Sequence, residues 1–196
     1  MSKCNEYPDV PKPLKNEDTI AVVERWVGEM VVGLNLCPFA KREWVQQRIR
    51  FVTTDAQTPE RLLDVLQAEL ARLDHDRSVE TTVLIHPRVL TDFFDYNEFL
   101  GAADELLVQT QHEGIYQIAS FHPHYQFAGT DVDDAENFTN RSPYPLLHLL
   151  REDSLSQAIV NYPDASEIPT RNIALMNQMG RAQLEALLLA CTALDE

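Results

Sequence analysis

The sequence predicts a single-domain α/β protein with a small, mainly parallel sheet covered by helices, and three observations lead to this fold class. Two β-branched, apolar segments, 79–86 and 115–122, flank a segment with the apolar spacing of a helix. A strand–helix–strand connection of this length is typical of a parallel, right-handed βαβ crossover. The last third of the chain has helical patterns throughout. We therefore expect a flexible N-terminal arm at 1–17 and one α/β domain at 18–196, with a helical C-terminal third.

Local signals mark where the individual elements begin. A helix with a stripe of apolar residues begins at Asp18 or Thr19, and an edge strand covers 48–54. Thr58 and Pro59 have the residue types of a helix N-cap and first helical position. The remaining predicted helices begin at Thr91, which caps the crossover helix, at Ser142 and Pro143, at Asp153, and at about Pro169, from which a long segment runs to Leu194.

Composition excludes several classes of function. A formal net charge of -15, from 16 Lys and Arg against 31 Asp and Glu, disfavours binding to nucleic acid. No apolar run is long enough to cross a bilayer, and the N-terminal lysines are not followed by the apolar stretch of a secretory signal. Three scattered cysteines suit a reducing compartment. We expect a cytoplasmic protein that binds a small molecule but neither nucleic acid nor a membrane, and the oligomeric state stays open.

Both strands of the predicted βαβ unit end in the same way. Ile85-His86-Pro87 ends the first and Phe121-His122-Pro123 ends the second. If the strands are parallel neighbours, the two imidazoles lie about one strand spacing, roughly 5 Å, apart. This is the edge at which open α/β sheets bind ligands. His124, two residues beyond His122, brings a third imidazole to the same volume.

Three imidazoles suffice to bind a divalent transition metal such as zinc or iron. A carboxylate from the acidic loop after Gly129 would complete the set, with Asp133 as our choice. The other candidates are Asp131, Asp134 and Glu136. The alternative is structural: His86 and His122 cap their strands by donating hydrogen bonds to nearby carbonyls, while His124 is solvated.

The segment 143–152 predicts a helix with two distinct faces. Four leucines cover one side, whereas Tyr144, His148, Arg151 and Glu152 share the other. A solvated face with an ordinary His148–Glu152 pair at i, i+4 is one interpretation. A functional interpretation makes Arg141 or Arg151 the clamp for a carboxylate or phosphate.

In that functional version the remaining polar side chains of the region have roles as well. Asn140 and Tyr144 would help to bind the substrate, while His148 and Glu152 would be acid/base residues or metal ligands.

Cys37 precedes Pro38 and is a candidate N-cap of a short helix. Helix N-termini lower thiol pKa values, which would make Cys37 a nucleophile. The residue at the position of a second redox cysteine is Ala40, so a glutaredoxin-like site is not expected. The alternative is a buried, passive thiol between Leu36 and Phe39. Cys4 and Cys191 have no predicted role.

The four most characteristic segments read LNLCPFAKR, IHPRVLTDFFDYNEFL, QIASFHPHYQFAGT and NRSPYPLLHLLRE. With them the chain resembles, over nearly all of residues 18–180, a largely bacterial family known as domain of unknown function 1415. The resemblance implies no reaction, cofactor or catalytic residue.

The leading hypothesis is therefore drawn from the residues alone. It is a cytoplasmic, metal-dependent enzyme that acts on a small anionic metabolite by hydrolytic or oxidative chemistry. Two alternatives stay open: a thiol-dependent enzyme or redox protein that uses Cys37, and a non-catalytic module that senses a metabolite or docks on another protein.

Overall fold

The computed structural model describes residues 14–193, and within them the chain forms one four-stranded mixed sheet. The strands are β1 (Ile49–Thr53), β2 (Thr81–Ile85), β3 (Tyr116–Phe121) and β4 (Leu146–Arg151). Their order across the sheet is β1-β2-β4-β3. β1 and β2 are parallel, whereas β4 is antiparallel to both of its neighbours. The α/β class is confirmed, but the prediction of a mainly parallel sheet is wrong.

The helices are α1 (Asn16–Trp26), α2 (Ala40–Val45), α3 (Pro59–His75), α4 (Phe93–Gln109), α5 (Glu152–Val160), α6 (Ile168–Met179) and α7 (Arg181–Thr192). A π-helical segment, Val27–Val32, continues α1, and 3-10 turns span Ala135–Thr139 and Ala165–Glu167. Most of the predicted arm, residues 1–13 with Cys4, lies outside the described residues, as does the predicted helix end at Leu194.

The sheet separates two apolar cores. α3 and α4 pack on one face, where Leu66 and Phe99 join Leu84 of β2. α1, its π-helical continuation and α7 pack on the other face, where Val23 meets Ile85 of β2 and Leu146 of β4. Neighbouring residues of a strand point to opposite faces, so each strand supplies both cores.

β4 accounts for the main error of the sequence-based fold. The segment around Leu146–Arg151 was predicted to be helical, yet it is a strand inserted between β2 and β3. Strands buried on both faces lose the alternation of apolar and polar residues, so a short leucine-rich run fits either element. The α4 crossover still joins two strands that run in the same direction, but they are not neighbours.

The predicted helix boundaries have mixed outcomes. Thr58 caps α3, with its Oγ1 accepting a hydrogen bond from the Arg61 N–H at 3.3 Å. α4 is capped one residue later than predicted, because Asp92 and not Thr91 accepts the N–H groups of Phe94 and Asp95. The C-terminal segment is two helices, since Gly180 at φ 76° interrupts it. Within residues 14–193 no helix is both long enough and apolar enough to span a bilayer.

Candidate functional site

The carboxyl ends of β1, β2 and β3 lie at one edge of the sheet, which we call the rim. The rim consists of the three loops that follow these strands, 54–58, 86–92 and 122–131. The N-terminus of α4 and the start of β4 lie at the same edge. This is the edge at which α/β sheets bind ligands, and it holds His86 and His122.

His86 is completely buried and only one of its ring nitrogens has a partner. Nδ1 lies 3.0 Å from the Val89 carbonyl oxygen and donates to it. Nε2, which then carries a bare lone pair, has no hydrogen-bond partner. Burial lowers the pKa of His86 to about 4, although the hydrogen bond to Val89 acts in the opposite direction. The imidazole is therefore neutral near pH 7.

His122 uses both ring nitrogens on the backbone. Nε2 donates to the Leu90 carbonyl at 3.2 Å, and Nδ1 accepts the His124 N–H at 3.0 Å. Burial, followed by the charge on His124, lowers the pKa of His122 to about 3. His86 and His122 therefore have the geometry of strand-capping residues rather than metal ligands, since each imidazole donates a hydrogen bond to a carbonyl of the β2–α4 loop.

The Tyr96 ring contacts both imidazoles. Its centroid lies 5.8 Å from that of His86, nearly parallel to it, and 5.1 Å from that of His122. Its hydroxyl donates to the Leu146 carbonyl at 2.8 Å and accepts the Phe121 N–H at 3.0 Å, thereby joining β4 to β3. Because β4 separates β2 from β3, the predicted spacing of one strand between His86 and His122 is wrong, and Tyr96 packs against both rings.

The predicted metal ligands do not form a common donor set. Both nitrogens of His122 are engaged, and the exposed Asp133 side chain forms an ion pair with Arg181 of α7. The His124 ring packs edge-on against His122 at 5.6 Å. Among residues 14–193, no three His, Cys, Asp or Glu side chains are arranged to hold a metal ion.

The long loop from 122 to 145 is held by polar side chains that were predicted to bind substrate. The Arg141 guanidinium donates to the carbonyls of Tyr125 and Val132 and lies over the Phe138 ring. Asn140 Nδ2 donates to the Ser120 carbonyl at 3.0 Å. These contacts order the loop on the core, and fixed surface loops are the usual carriers of binding sites.

The predicted polar face at 143–152 does not exist, because most of this segment, Leu146–Arg151, forms the strand β4. Tyr144 is buried in the α1-side core, and burial raises the pKa of its hydroxyl. Arg151 is buried as well and donates to the carbonyls of Leu73 and Val79. Neither side chain is the exposed substrate clamp that the helical pattern indicated.

His148 is on the opposite side of the sheet from the rim histidines. It is paired in register with Val83, whose side chain joins the α1-side core, and its Nε2 donates to Thr81 Oγ1 at 2.7 Å. Burial lowers the pKa of His148 to about 4. Glu152 begins α5, and a span of four residues in a strand is about 13 Å. The predicted i, i+4 pair of His148 and Glu152 is therefore wrong.

Cys37 lies three residues before α2, whose N-cap residue is Phe39, so the prediction that Cys37 caps a short helix is wrong. Burial raises the pKa of the thiol, and backbone hydrogen bonds from Ala40 and Phe39 offset only part of this effect. A raised pKa leaves little thiolate at neutral pH, which is the opposite of what a nucleophilic cysteine requires. Cys191 is also buried, and burial raises its thiol pKa to about 11.

Sequence reasoning missed three rim residues and a polar cluster elsewhere. Phe93 packs against His122, and Tyr96 packs against both strand-end histidines. Arg88, two residues after His86, pairs with Asp55 of the β1–α3 loop. All three lie in the segment after His86 that was read only as a loop and a helix stripe. His112 forms a network with Asp74 of α3, 38 residues away in sequence. No local pattern pairs two such residues.

A family model described as "Protein of unknown function (DUF1415)" matches residues 18–186. The chain belongs to this family. No curated protein and no solved structure matches it. DUF1415 membership accounts for the four characteristic sequence segments, but it assigns no role to the rim.

Proposed function

We propose that the DUF1415 chain binds a small metabolite at the rim, and that the ligand donates an O–H or N–H hydrogen bond to His86 Nε2. The observation that supports this proposal is the bare, buried Nε2 atom. A buried polar atom without a partner costs about 1–3 kcal/mol, and such atoms are rare in native proteins unless a ligand or water completes them. A ligand that supplies a hydrogen recovers this free energy.

The charge state of His86 limits which ligands fit. With a pKa of about 4 the ring is neutral, so it accepts a hydrogen and does not attract an anion directly. Tyr96 stacks on it at an interplanar angle of 17°, and Phe93 packs against Tyr96. These rings favour a ligand whose donor group is attached to an apolar or flat body.

An anionic group on the same ligand would bind Arg88, two residues after His86. Arg88 Nη1 is paired with Asp55 Oδ1 at 3.2 Å, and both side chains are more than a third exposed. Exposed pairs of this kind contribute less than about 1 kcal/mol. A ligand carboxylate can therefore replace Asp55 at little cost, and the proposed ligand class is a small hydroxy or amino acid.

Access to His86 requires a side-chain movement, because the residue is completely buried. The half-buried Tyr125 packs its ring on Phe93 at 5.2 Å, and Phe93 in turn packs on Tyr96. Displacement of Tyr125 opens this stack from the solvent side. Rotations of partly exposed side chains are fast, so this movement does not limit binding.

The low pKa of His86 also limits the reactions that the rim can catalyse. A buried imidazole with so low a pKa is a weak base, and it orients a donor group better than it removes a proton. Metal-dependent hydrolysis or oxidation stays a prediction that the described donors do not support. Metabolite sensing needs no further group. The cytoplasmic location and the small-molecule partner likewise remain proposals.

The test is nitrogen NMR of ¹⁵N-histidine-labelled protein with matched probe pairs. L-malate and L-lactate carry a hydroxyl, whereas succinate and propionate are the same acids without it. We expect at least one hydroxy acid to shift the unprotonated Nε2 resonance of His86 and to raise the melting temperature, and its deoxy partner to do neither. The proposal fails if no hydroxy acid moves this resonance.

A variant isolates the atom concerned. His86→Asn retains a donor for the Val89 carbonyl and removes Nε2, so it should lose the stabilisation by hydroxy acids. His75→Asn is the matched control, because the exposed His75 hydrogen-bonds only within α3, to the Ala71 carbonyl. Stabilisation that persists in His86→Asn would contradict the assignment to Nε2.

A further inference from the structure

The two outer strands of the sheet, β1 and β3, differ in how their outward backbone groups are used. β3 is covered at both ends by its own chain. The Tyr116 N–H donates to the His112 carbonyl at 3.0 Å, and Asn140 Nδ2 donates to the Ser120 carbonyl at 3.0 Å. The His122 N–H, just beyond the strand, donates to the Asn140 carbonyl at 3.2 Å. Another strand therefore cannot align along β3 without displacing these groups.

The outward side of β1 has no such cover. The Thr54 N–H donates to the Ile85 carbonyl of β2 at 3.0 Å, so the even-numbered residues of this segment turn their backbone groups toward β2. Successive residues of a strand point their N–H and C=O groups to opposite sides. The backbone groups that point away from the sheet are therefore those of Ile49, Phe51 and Thr53. Between residues 14 and 193 no hydrogen bond reaches them, and we call this row the open flank.

The open flank has the geometry that an additional strand requires. β1 is five residues long and extended, and none of these residues is proline or lysine, which commonly block outer strands. An extended segment placed about 4.8 Å away can pair with the three N–H and three C=O groups. These bonds replace bonds to water, so each adds little net affinity and none selects a particular sequence. Selection depends on the side chains beside the flank.

The side chains beside the open flank expose positive charge, although the chain has a formal net charge of -15. The exposed fraction of Arg50 is 28%, against 9% for its partner Glu69. Arg48 is 30% exposed and its partner Glu80 14%. Arg72, which also lies near Glu69, is 52% exposed. In each pair the guanidinium is the group that faces solvent.

Arg50 also retains hydrogen-bond donors. It donates to Glu69 from Nε at 2.8 Å and from Nη2 at 3.1 Å. A guanidinium has five N–H groups, so those of Nη1 stay available to a second carboxylate. Because Arg50 is in the middle of β1, such a carboxylate would belong to a segment that lies along the open flank.

We propose that the open flank binds an extended, acidic peptide segment of a partner protein, which joins the sheet as a fifth strand beside β1. Its backbone pairs with Ile49, Phe51 and Thr53, and its carboxylates lie beside Arg48 and Arg50. This interaction surface is separate from His86 and does not depend on the ligand proposed for the rim.

Charge distinguishes this occupant from a second copy of the chain. Two β1 strands that pair antiparallel about a two-fold axis at Phe51 would place their Arg50 side chains on the same face as diagonal neighbours. Like charges in that position are unfavourable. An acidic segment replaces this repulsion with attraction.

The experiment uses the full-length protein and three fluorescein-labelled octapeptides: alternating Glu and Val, alternating Lys and Val, and the Glu-Val peptide methylated at every backbone nitrogen. We expect the Glu-Val peptide to shift the amide resonances of Ile49, Phe51 and Thr53 in NMR spectra and to slow their hydrogen exchange. Fluorescence anisotropy should show at least about tenfold weaker binding of both other peptides.

Variants test the two parts of the surface. Thr53→Pro removes one outward N–H, which an outer strand tolerates, and Thr53→Val is the control, since Thr53 Oγ1 has no hydrogen-bond partner. Binding of the Glu-Val peptide should weaken in Thr53→Pro and persist in Thr53→Val. Arg50→Gln should weaken it as well, whereas Arg181→Gln on α7 should not.

Three results would overturn the proposal. They are unshifted amides at the open flank, equal binding of the Lys-Val peptide, and protection of these amides that grows with protein concentration without any peptide, which would assign the flank to a second copy. If a variant does not fold, the methylated peptide and the unaltered protein decide the question.

Discussion

The rim and the opposite edge of the sheet both hold histidines, but in different surroundings. At the rim, His86 and His122 are buried and bonded to the backbone, and burial lowers their pKa values to about 4 and 3. At the opposite edge, His112 keeps some exposure, and its Nε2 lies 2.9 Å from Asp74 Oδ2. A buried site without a counter-charge excludes the charged ring. Environment, and not residue type, decides what a histidine contributes.

The largest expected effect is a loss of protein stability in acid that arises from the neutral imidazoles of the rim. A histidine with a lowered pKa stabilises the fold fully above pH ~6.5, and this contribution is lost as the pH falls. Between pH 6.5 and 5 the free energy of unfolding should decrease by up to about 1.4 kcal/mol per pH unit for each neutral imidazole. Denaturant titrations at several pH values measure the slope.

One variant assigns part of that slope to the rim. His86→Asn should reduce this slope by about one proton. An unchanged slope in His86→Asn would break the contrast between the two regions, because it would show that His86 is charged in the folded protein.

The second prediction concerns Arg151, which is buried at the edge of the sheet opposite the rim. Arg151→Met removes the donor to the Leu73 and Val79 carbonyls and to Tyr116. We expect a loss of about 3 kcal/mol in urea unfolding, because buried acceptors are left unpaired. Arg61→Met is the control: Arg61 is exposed and paired only with Asp64, so it should cost less than about 0.5 kcal/mol. A similar small loss for Arg151→Met would mean that the residue is exposed in solution.

The third prediction concerns Tyr96, whose hydroxyl bridges β3 and β4 at the rim. Tyr96→Phe removes the hydroxyl that joins the Phe121 N–H to the Leu146 carbonyl and keeps the ring between the imidazoles. The expected loss is about 2 kcal/mol. Tyr162→Phe, whose hydroxyl only accepts from the exposed Arg171, should change stability little. Equal effects of the two substitutions would contradict the bridging role of Tyr96.

The smallest expected effect is that of metal. Protein purified without an affinity tag should contain less than one equivalent of zinc or iron, and a chelator should leave its melting temperature unchanged, because His122 has no free nitrogen and Tyr96 packs against both imidazoles. Elemental analysis checks this. Stoichiometric metal that disappears in His86→Ala would reinstate the metal-dependent enzyme and would make the rim a different kind of site.

The sequence predicted those features that depend on neighbouring residues and missed those that depend on contacts between distant segments. The cap at Thr58, the strand ends at His86 and His122 and the apolar stripe of α1 depend on neighbouring residues, and the sequence predicted them. β4 depends on burial on both faces by elements far away in the chain, and its leucines indicated a helix. This error placed Tyr144, His148 and Arg151 together on one helix face. In the structure Tyr144 and Arg151 are buried in structural roles, and His148 lies on the face of the sheet that packs against α1.

The sequence by itself determined the α/β class, the positions of most helices and the placement of two histidines at the ends of strands that run the same way. Only the tertiary structure decided that β4 separates those strands, that Tyr96 packs against both imidazoles and that His112 meets Asp74. The reason is physical. Caps and periodicity arise from contacts within a few residues, whereas strand order and the burial of the rim imidazoles arise from contacts between distant segments.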